Sequence, residues 1–226
     1  KNGKSEFLAA LALLFFVCDG EKGGQGYNFA RNEKQASVIF KKMRVMISLS
    51  PKLRAALHKP TKRTFYHPEL NGLWEMLSGN AEGKHGLSAS VIVGDEAHEC
   101  VDDTLYNTLH QSIAARDQPI ELIASTAGHR GRRWGWKLYE ECLEVLDGRK
   151  KQPSTLVAIF AAEKDAKLDD DQALHDANPN LGISPKLDYL LEERDKAREN
   201  PRLENDFRRY HMNQWTDQVT RWIPLP

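Results

Sequence analysis

The sequence predicts an α/β fold: a mostly parallel sheet with helices on both faces, followed by a small helical subdomain. Three observations predict it. First, Ser88–Gly94 is a short apolar run that ends in two adjacent carboxylates, Asp95 and Glu96. Such a run, bounded by polar residues, reads as a buried strand. Open α/β sheets place their ligands at the carboxyl ends of strands. Second, Lys1-Asn2-Gly3-Lys4-Ser5 is the tail of a phosphate-binding loop, G-x-x-x-x-G-K-[ST], and a strongly apolar helix follows it. Third, apolar runs and amphipathic helical patterns alternate along the chain, as in folds built on parallel sheets.

The loop tail and the acidic strand end together identify a P-loop NTPase of the RecA/ASCE-like type. Gly3 lets the backbone approach phosphate, Lys4 reaches the β/γ-phosphates, and the Ser5 hydroxyl binds Mg²⁺. Asn2 belongs to the same nucleotide-binding stretch. The motif is entered part-way, so a longer parent chain is expected. The closing Trp222-Ile223-Pro224-Leu225-Pro226 reads the same way.

The elements follow in order. Ser5 to about Val17 is a helix with Phe7, Leu8, Leu11, Leu14 and Phe15 as a stripe. It is apolar almost all round, which predicts burial on every side. Asp19–Gly26 is a glycine-rich connection, and Tyr27–Ala30 is a strand. Asn32 with Gln35 forms a capping box for the next helix. That helix buries Ala36, Ile39, Phe40, Met43, Met46 and Ile47 and exposes Lys34, Lys41, Lys42 and Arg44. Residues 50–87 are irregular, rich in proline and glycine, with short strands near Arg63–Tyr66 and Leu73–Leu77.

After Glu96, an amphipathic helix over Val101–Ala115 turns Leu105, Leu109 and Ile113 inward. Glu121–Ser125 is a buried strand, continuing into Thr126-Ala127-Gly128. A basic loop carries Arg130, Arg132 and Arg133. A helix to about Leu146 and a strand over Thr155–Phe160 complete a core spanning residues 1–164. Residues 165–226 form a helical lid or linker. Within it Asp169–Asp171 reads as solvated acid, Ala177–Gly182 as a turn, and Ser184-Pro185 and Asn200-Pro201 as helix starts.

The totals narrow the field. Thirty-two basic residues balance 32 acidic ones among 226, so global charge carries no nucleic-acid signal. Cys18, Cys100 and Cys142 are widely spaced, which argues against zinc and disulfides and suits a reducing cytosol. The apolar run Phe7–Cys18 is too short to span a bilayer.

For phosphoryl transfer to water, Lys4 neutralises charge, Asp95 and Ser5 hold Mg²⁺, and Glu96 activates the attacking water. Hydroxyls in Ser125-Thr126-Ala127-Gly128 can sense the γ-phosphate and couple its loss to motion. Arg130, Arg132 and Arg133 stay open between an arginine finger, a DNA contact and an inert surface loop. His98 reads as structural rather than as a ligand.

Taken together, K-N-G-K-S at 1–5, Gln35-Ala36, V-I-V-G-D-E-A-H at 91–98 and S-T-A-G at 125–128 resemble the large terminase subunit of tailed double-stranded-DNA phages. A-N-P-N-L-G at 177–182 and Phe207…Asn213-Gln214-Trp215 resemble the same family. The resemblance implies an ATP-driven motor that pumps viral DNA into a procapsid. Implied with it are Mg²⁺, a portal protein, a small terminase subunit, a ring homo-oligomer and a place in the host cytoplasm, docked at the portal. It also implies a downstream nuclease domain, and a basic residue early in the loop for which Lys1 is a candidate. Two other readings stand beside it. Asp95-Glu96-Ala97-His98 spells the D-E-A-H of superfamily 2 helicases, which need a second RecA-like domain. A silent scaffold that only binds DNA or a portal-like partner would not need Lys4, Ser5, Asp95 and Glu96 intact.

Overall fold

The computed structural model describes residues 2–78 and 86–217. Lys1 and Trp222–Pro226, both singled out in the sequence, lie outside the described residues. The chain divides into two compact units. One is Lys4–Ser125; the other is Thr126–Pro226 together with Lys1–Gly3.

In the first unit, α1 (Lys4–Cys18), α2 (Glu33–Leu49), α3 (Pro51–Ala56) and α4 (Thr104–Gln111) accompany five strands. These are β1 (Gln25–Ala30), β2 (Thr64–His67), β3 (Gly72–Ser78), β4 (Ala89–Gly94) and β5 (Ile120–Ile123). They form one sheet in the order β2-β3-β1-β4-β5. The β3–β1, β1–β4 and β4–β5 pairs are parallel, and only β2–β3 is antiparallel.

Helix and strand identity follow from local chemistry. The α2 cap forms as the sequence predicts: the Asn32 side chain accepts from the Gln35 amide at 3.0 Å. Ala36, Ile39, Phe40, Met43 and Ile47 are buried, with Met46 at the margin. Every residue of β4 is buried. Val91 and Val93 point into the core built by α1, α2 and β3, so Ile92 between them faces the other side. There α4 packs against β4, with Leu109 fully buried.

A buried polar knot locks this layer. Asn28 is fully buried on β1. Its amide donates to the Ala36 carbonyl at 2.8 Å, and its Oδ1 accepts from the Trp74 indole at 3.0 Å. Gly26 makes room for the same indole: a Cβ there would lie 2.0 Å from the Trp74 ring.

Several expectations are corrected. Helix α1 buries one face only, through Leu8, Ala9, Ala12, Leu13 and Phe16, while Phe7 is 65% and Leu14 51% exposed. When nearly every position is apolar, periodicity cannot choose the face. Helix α3 forms inside the stretch read as irregular, because Ser50 caps it and Pro51 suits its first turn. The helix expected over 101–115 shortens to α4 and one 3₁₀ turn at Ser112–Ala115.

In the second unit, α5 (Trp134–Leu146), α6 (Asp171–Ala177), α7 (Leu187–Glu199) and α8 (Pro201–His211) are the helices. The strand expected at Thr155–Phe160 does not form: the stretch joins no ladder, and Leu156 is 95% exposed. An apolar run cannot make a strand without a backbone partner. The helical part has its own core, including Leu174, Leu190, Ala197, Phe207 and Met212. Within the acidic run, Asp170 caps α6 by accepting from Gln172 and Ala173. Among the described residues no helix is long and apolar enough to cross a membrane.

Replacing Asn28 by Ala leaves the Trp74 indole and the Ala36 carbonyl without their partner in the core. Urea unfolding should show a loss of roughly 2–6 kcal/mol, from two groups at about 1–3 kcal/mol each.

Candidate functional site

In the Lys4–Ser125 unit, the first turn of α1 faces the end of β4. The Lys4 ammonium lies 3.0 Å from Asp95 Oδ1 and 2.9 Å from Glu96 Oε1. The Ser5 hydroxyl donates to Asp95 Oδ2 at 2.8 Å. Asp95 is only 4% exposed, so its charge depends on these partners and on the Glu96 amide, which donates to Oδ1 at 3.0 Å. Two adjacent pairs ninety residues apart in sequence, Lys4-Ser5 and Asp95-Glu96, thus come together.

Backbone geometry explains how adjacent carboxylates reach one lysine. In a continuing strand they would point to opposite faces. Glu96 instead takes a left-handed conformation, φ 53 and ψ 49. That conformation is uncommon for a non-glycine residue and concentrates at functional sites. Gly94 permits the close approach just before it, since a Cβ there would meet the Phe29 ring at 2.8 Å and Ile123 at 2.9 Å.

Glu96 has a second neighbour that sequence reading treated as structural. His98 Nδ1 lies 3.2 Å from Glu96 Oε2 and 3.2 Å from Ser125 Oγ, and its Nε2 lies 3.3 Å from Glu99 Oε1. The His98 amide donates to Ser125 Oγ at 2.9 Å. Ser125 of the coupling motif therefore belongs to the surroundings of Glu96. Burial alone would raise the Glu96 carboxyl, but the His98 hydrogen bond and the Lys4 charge outweigh it and hold the group at about 2.

The remaining predicted residues belong to the other unit. Asn2 donates to Asn178 Oδ1 at 3.0 Å and accepts from the Asn180 amide at 3.2 Å. Gly3 is left-handed, φ 76. Ala127 and Gly128 are buried and Thr126 is half-buried. The Ala127 amide donates to Asn213 Oδ1 at 2.7 Å. Arg130 is engaged: both Asp217 oxygens lie 3.1 Å from its Nη1, and its guanidinium sits over Trp136 at 5.6 Å. Arg132 and Arg133 are exposed.

These geometries can now be set beside known proteins. The family model for the terminase large subunit, ATPase domain, matches residues 1–142. The chain belongs to that family. Among curated relatives, the large terminase subunit of Enterobacteria phage HK97 is 25% identical over 99% of this chain and 44% of its own length. Protein YmfN of Escherichia coli K12 is 33% identical over 62% of this chain and 31% of its own length. This chain therefore spans under half the length of the curated relatives it matches. The solved HK97 large terminase superposes with a TM-score of 0.84 at 24% identity, over 95% of this chain and 45% of that one. The ATPase domain of the Thermus phage P74-26 large terminase gives 0.57 at 18% identity, over 96% and 85%. Both structural likenesses establish the terminase ATPase fold, a P-loop NTPase fold.

One part of the acid response of this large-terminase ATPase domain comes from Glu96. Its folded carboxyl stays ionised below the usual range, so the unfolded chain binds more protons between about pH 4.5 and 2. The stability it contributes is full above that window and lost as pH falls through it. Urea unfolding should show Glu96→Gln less stable than the unmodified protein by about 1–2 kcal/mol at neutral pH, after allowance for solvent screening. The gap should narrow as pH falls from 4.5; a gap independent of pH contradicts this account.

Proposed function

We propose that this chain binds ATP with Mg²⁺ and hydrolyses it to drive double-stranded viral DNA into a procapsid. The observation that carries the proposal is Lys4 Nζ within 3.0 and 2.9 Å of Asp95 and Glu96, at the end of a G-K-S sequence. A lysine so placed can exchange its carboxylate partners for β/γ-phosphate oxygens. Asn2 and Gly3 present the loop backbone to the same phosphates.

Ser5 and Asp95 fit a Mg²⁺ site. They are hard oxygen donors already within hydrogen-bond distance of each other, and Mg²⁺ needs few protein ligands when phosphates supply others. When bound there, the ion neutralises charge on the phosphate oxygens. Glu96 orients water and accepts its proton. For that it leaves Lys4, which phosphate engages instead, while His98 keeps its carboxylate aimed. Ser125 reads the change through its contact with His98, and Thr126, Ala127 and Gly128 carry it onward.

Residues 1–164 serve as the ATPase core and 165–226 as the lid or linker. Arg132 and Arg133, being exposed, are the candidates for an arginine finger or a DNA contact, and Arg130 supports that loop through Asp217. The partners are viral DNA, the portal protein, the small terminase subunit and further copies of this chain in a ring. The setting is the host cytoplasm, at the procapsid portal.

Glu96→Gln should lower ATP turnover by about 10²–10⁴ while ATP affinity changes little. A coupled phosphate-release assay and a nucleotide-binding titration measure the two. Turnover within a few-fold of the unmodified protein would remove Glu96 from its role. Lys4→Ala should weaken ATP binding itself, because it removes the group that meets the phosphates.

A further inference from the structure

The two sequence stretches in the helical region that carry no assigned chemistry, A-N-P-N-L-G and Asn213-Gln214-Trp215, hold the chain where it leaves the nucleotide site. The covalent path crosses between the two units at Gly3–Lys4 and at Ser125–Thr126. Each crossing lies inside a nucleotide-site motif. On the helical side, each is held by an asparagine.

At the first crossing, Asn2 is gripped twice, by Asn178 Oδ1 at 3.0 Å and by the Asn180 amide at 3.2 Å. Asn178 is 6% exposed, and its amide also donates to the Leu174 carbonyl at 2.9 Å and the His211 carbonyl at 2.7 Å. One side chain therefore joins Asn2 to the last turns of α6 and α8. At the second crossing, Asn213 accepts from the Ala127 amide at 2.7 Å and donates to the Phe160 carbonyl at 2.7 Å. Asn213 is left-handed, φ 51, two residues past the end of α8. Its neighbour Gln214 donates to the Glu163 carbonyl and accepts from Arg208 at 3.0 Å.

We propose that Asn178 and Asn213 are positioning residues that transmit the state of the nucleotide site to the helical unit, each by gripping one of the two segments that join the units. The inference rests on the ATP-binding reading above. On the near side, Lys4 meets nucleotide directly and Ser125 follows it through His98. On the far side, Asn2 and Ala127 cannot shift without moving an asparagine anchored to α6 and α8, or to α8 and the 160–163 segment. Coupling of this kind needs contiguous contacts whose two ends feel different ligand states. Side-chain amides suit the task, because each donates and accepts at once and so links two backbone segments.

Hydrogen exchange of the unmodified protein, with and without a non-hydrolysable ATP analogue plus Mg²⁺, tests this. The analogue should slow exchange at the Ala127 and Asn180 amides and across 187–211 by about fivefold. Asn213→Ala and Asn178→Ala should each at least halve that slowing across 187–211. Slowing within 4–125 and the analogue affinity in Asn213→Ala should stay near the unmodified values. Asn213→Asp, which keeps the acceptor for Ala127, should recover most of the effect. If Asn178→Ala does not fold by circular dichroism, Asn2→Ala opens the same grip and leaves Asn178 its bonds to Leu174 and His211. Equal slowing across 187–211 in both grip variants overturns the inference. Slowing within 4–125 but none across 187–211 in the unmodified protein also overturns it, with ATP binding intact. No slowing anywhere overturns the ATP-binding reading itself.

Discussion

The ion pairing of Lys4 with Asp95 and Glu96 is the constraint on which the site depends. It ties the first turn of α1 to the end of β4, across ninety residues of sequence. Asp95 is nearly inaccessible to solvent, and a buried carboxylate without partners would be prohibitive. Lys4, Ser5 and the Glu96 amide supply those partners. The left-handed turn at Glu96 is the local cost of aiming a second carboxylate at the same ammonium. Breaking one member leaves the others with unmatched charge, so the arrangement is held together.

That arrangement was largely legible in the sequence because its parts are local signals. G-K-S before an apolar helix and V-I-V-G-D-E at a strand end each declare their position. The α2 cap was legible for the same reason, since Asn32 and Gln35 are three residues apart. Expectations failed where the answer depended on a distant partner. The run Thr155–Phe160 has a buried strand's apolar composition but no ladder. Helix α1 has an apolar surface that no pattern could orient. Asn28, at the hub of the first core, looks in sequence like any polar residue in a short strand. Its importance comes from Trp74 and Ala36, which only the fold brings to it.

The basic loop shows the same limit. In sequence Arg130, Arg132 and Arg133 are equivalent candidates for meeting phosphate. In the structure they divide. Arg130 is committed to Asp217 and lies over Trp136, whose ring also meets Tyr139 and Trp215. An arginine held in this way stiffens its loop more readily than it reaches for a ligand. Arg132 and Arg133 keep their exposure.

The asparagines at the two crossings differ in kind from the ion pairs at the nucleotide site, and the difference suits their places. Lys4, Asp95 and Glu96 are charged, so on the proposed function their interactions change strongly when phosphate arrives. Asn178 and Asn213 are neutral, and each bond they make contributes only about 0.5–1.5 kcal/mol net. Such bonds are weak enough to rearrange and directional enough to carry a displacement of their partner. They attach to backbone at helix ends and at an extended segment, where a small shift of one peptide moves a rigid element rather than a single side chain. A charge-sensitive centre with neutral, geometry-sensitive grips on both exits separates sensing phosphate from passing on its effect.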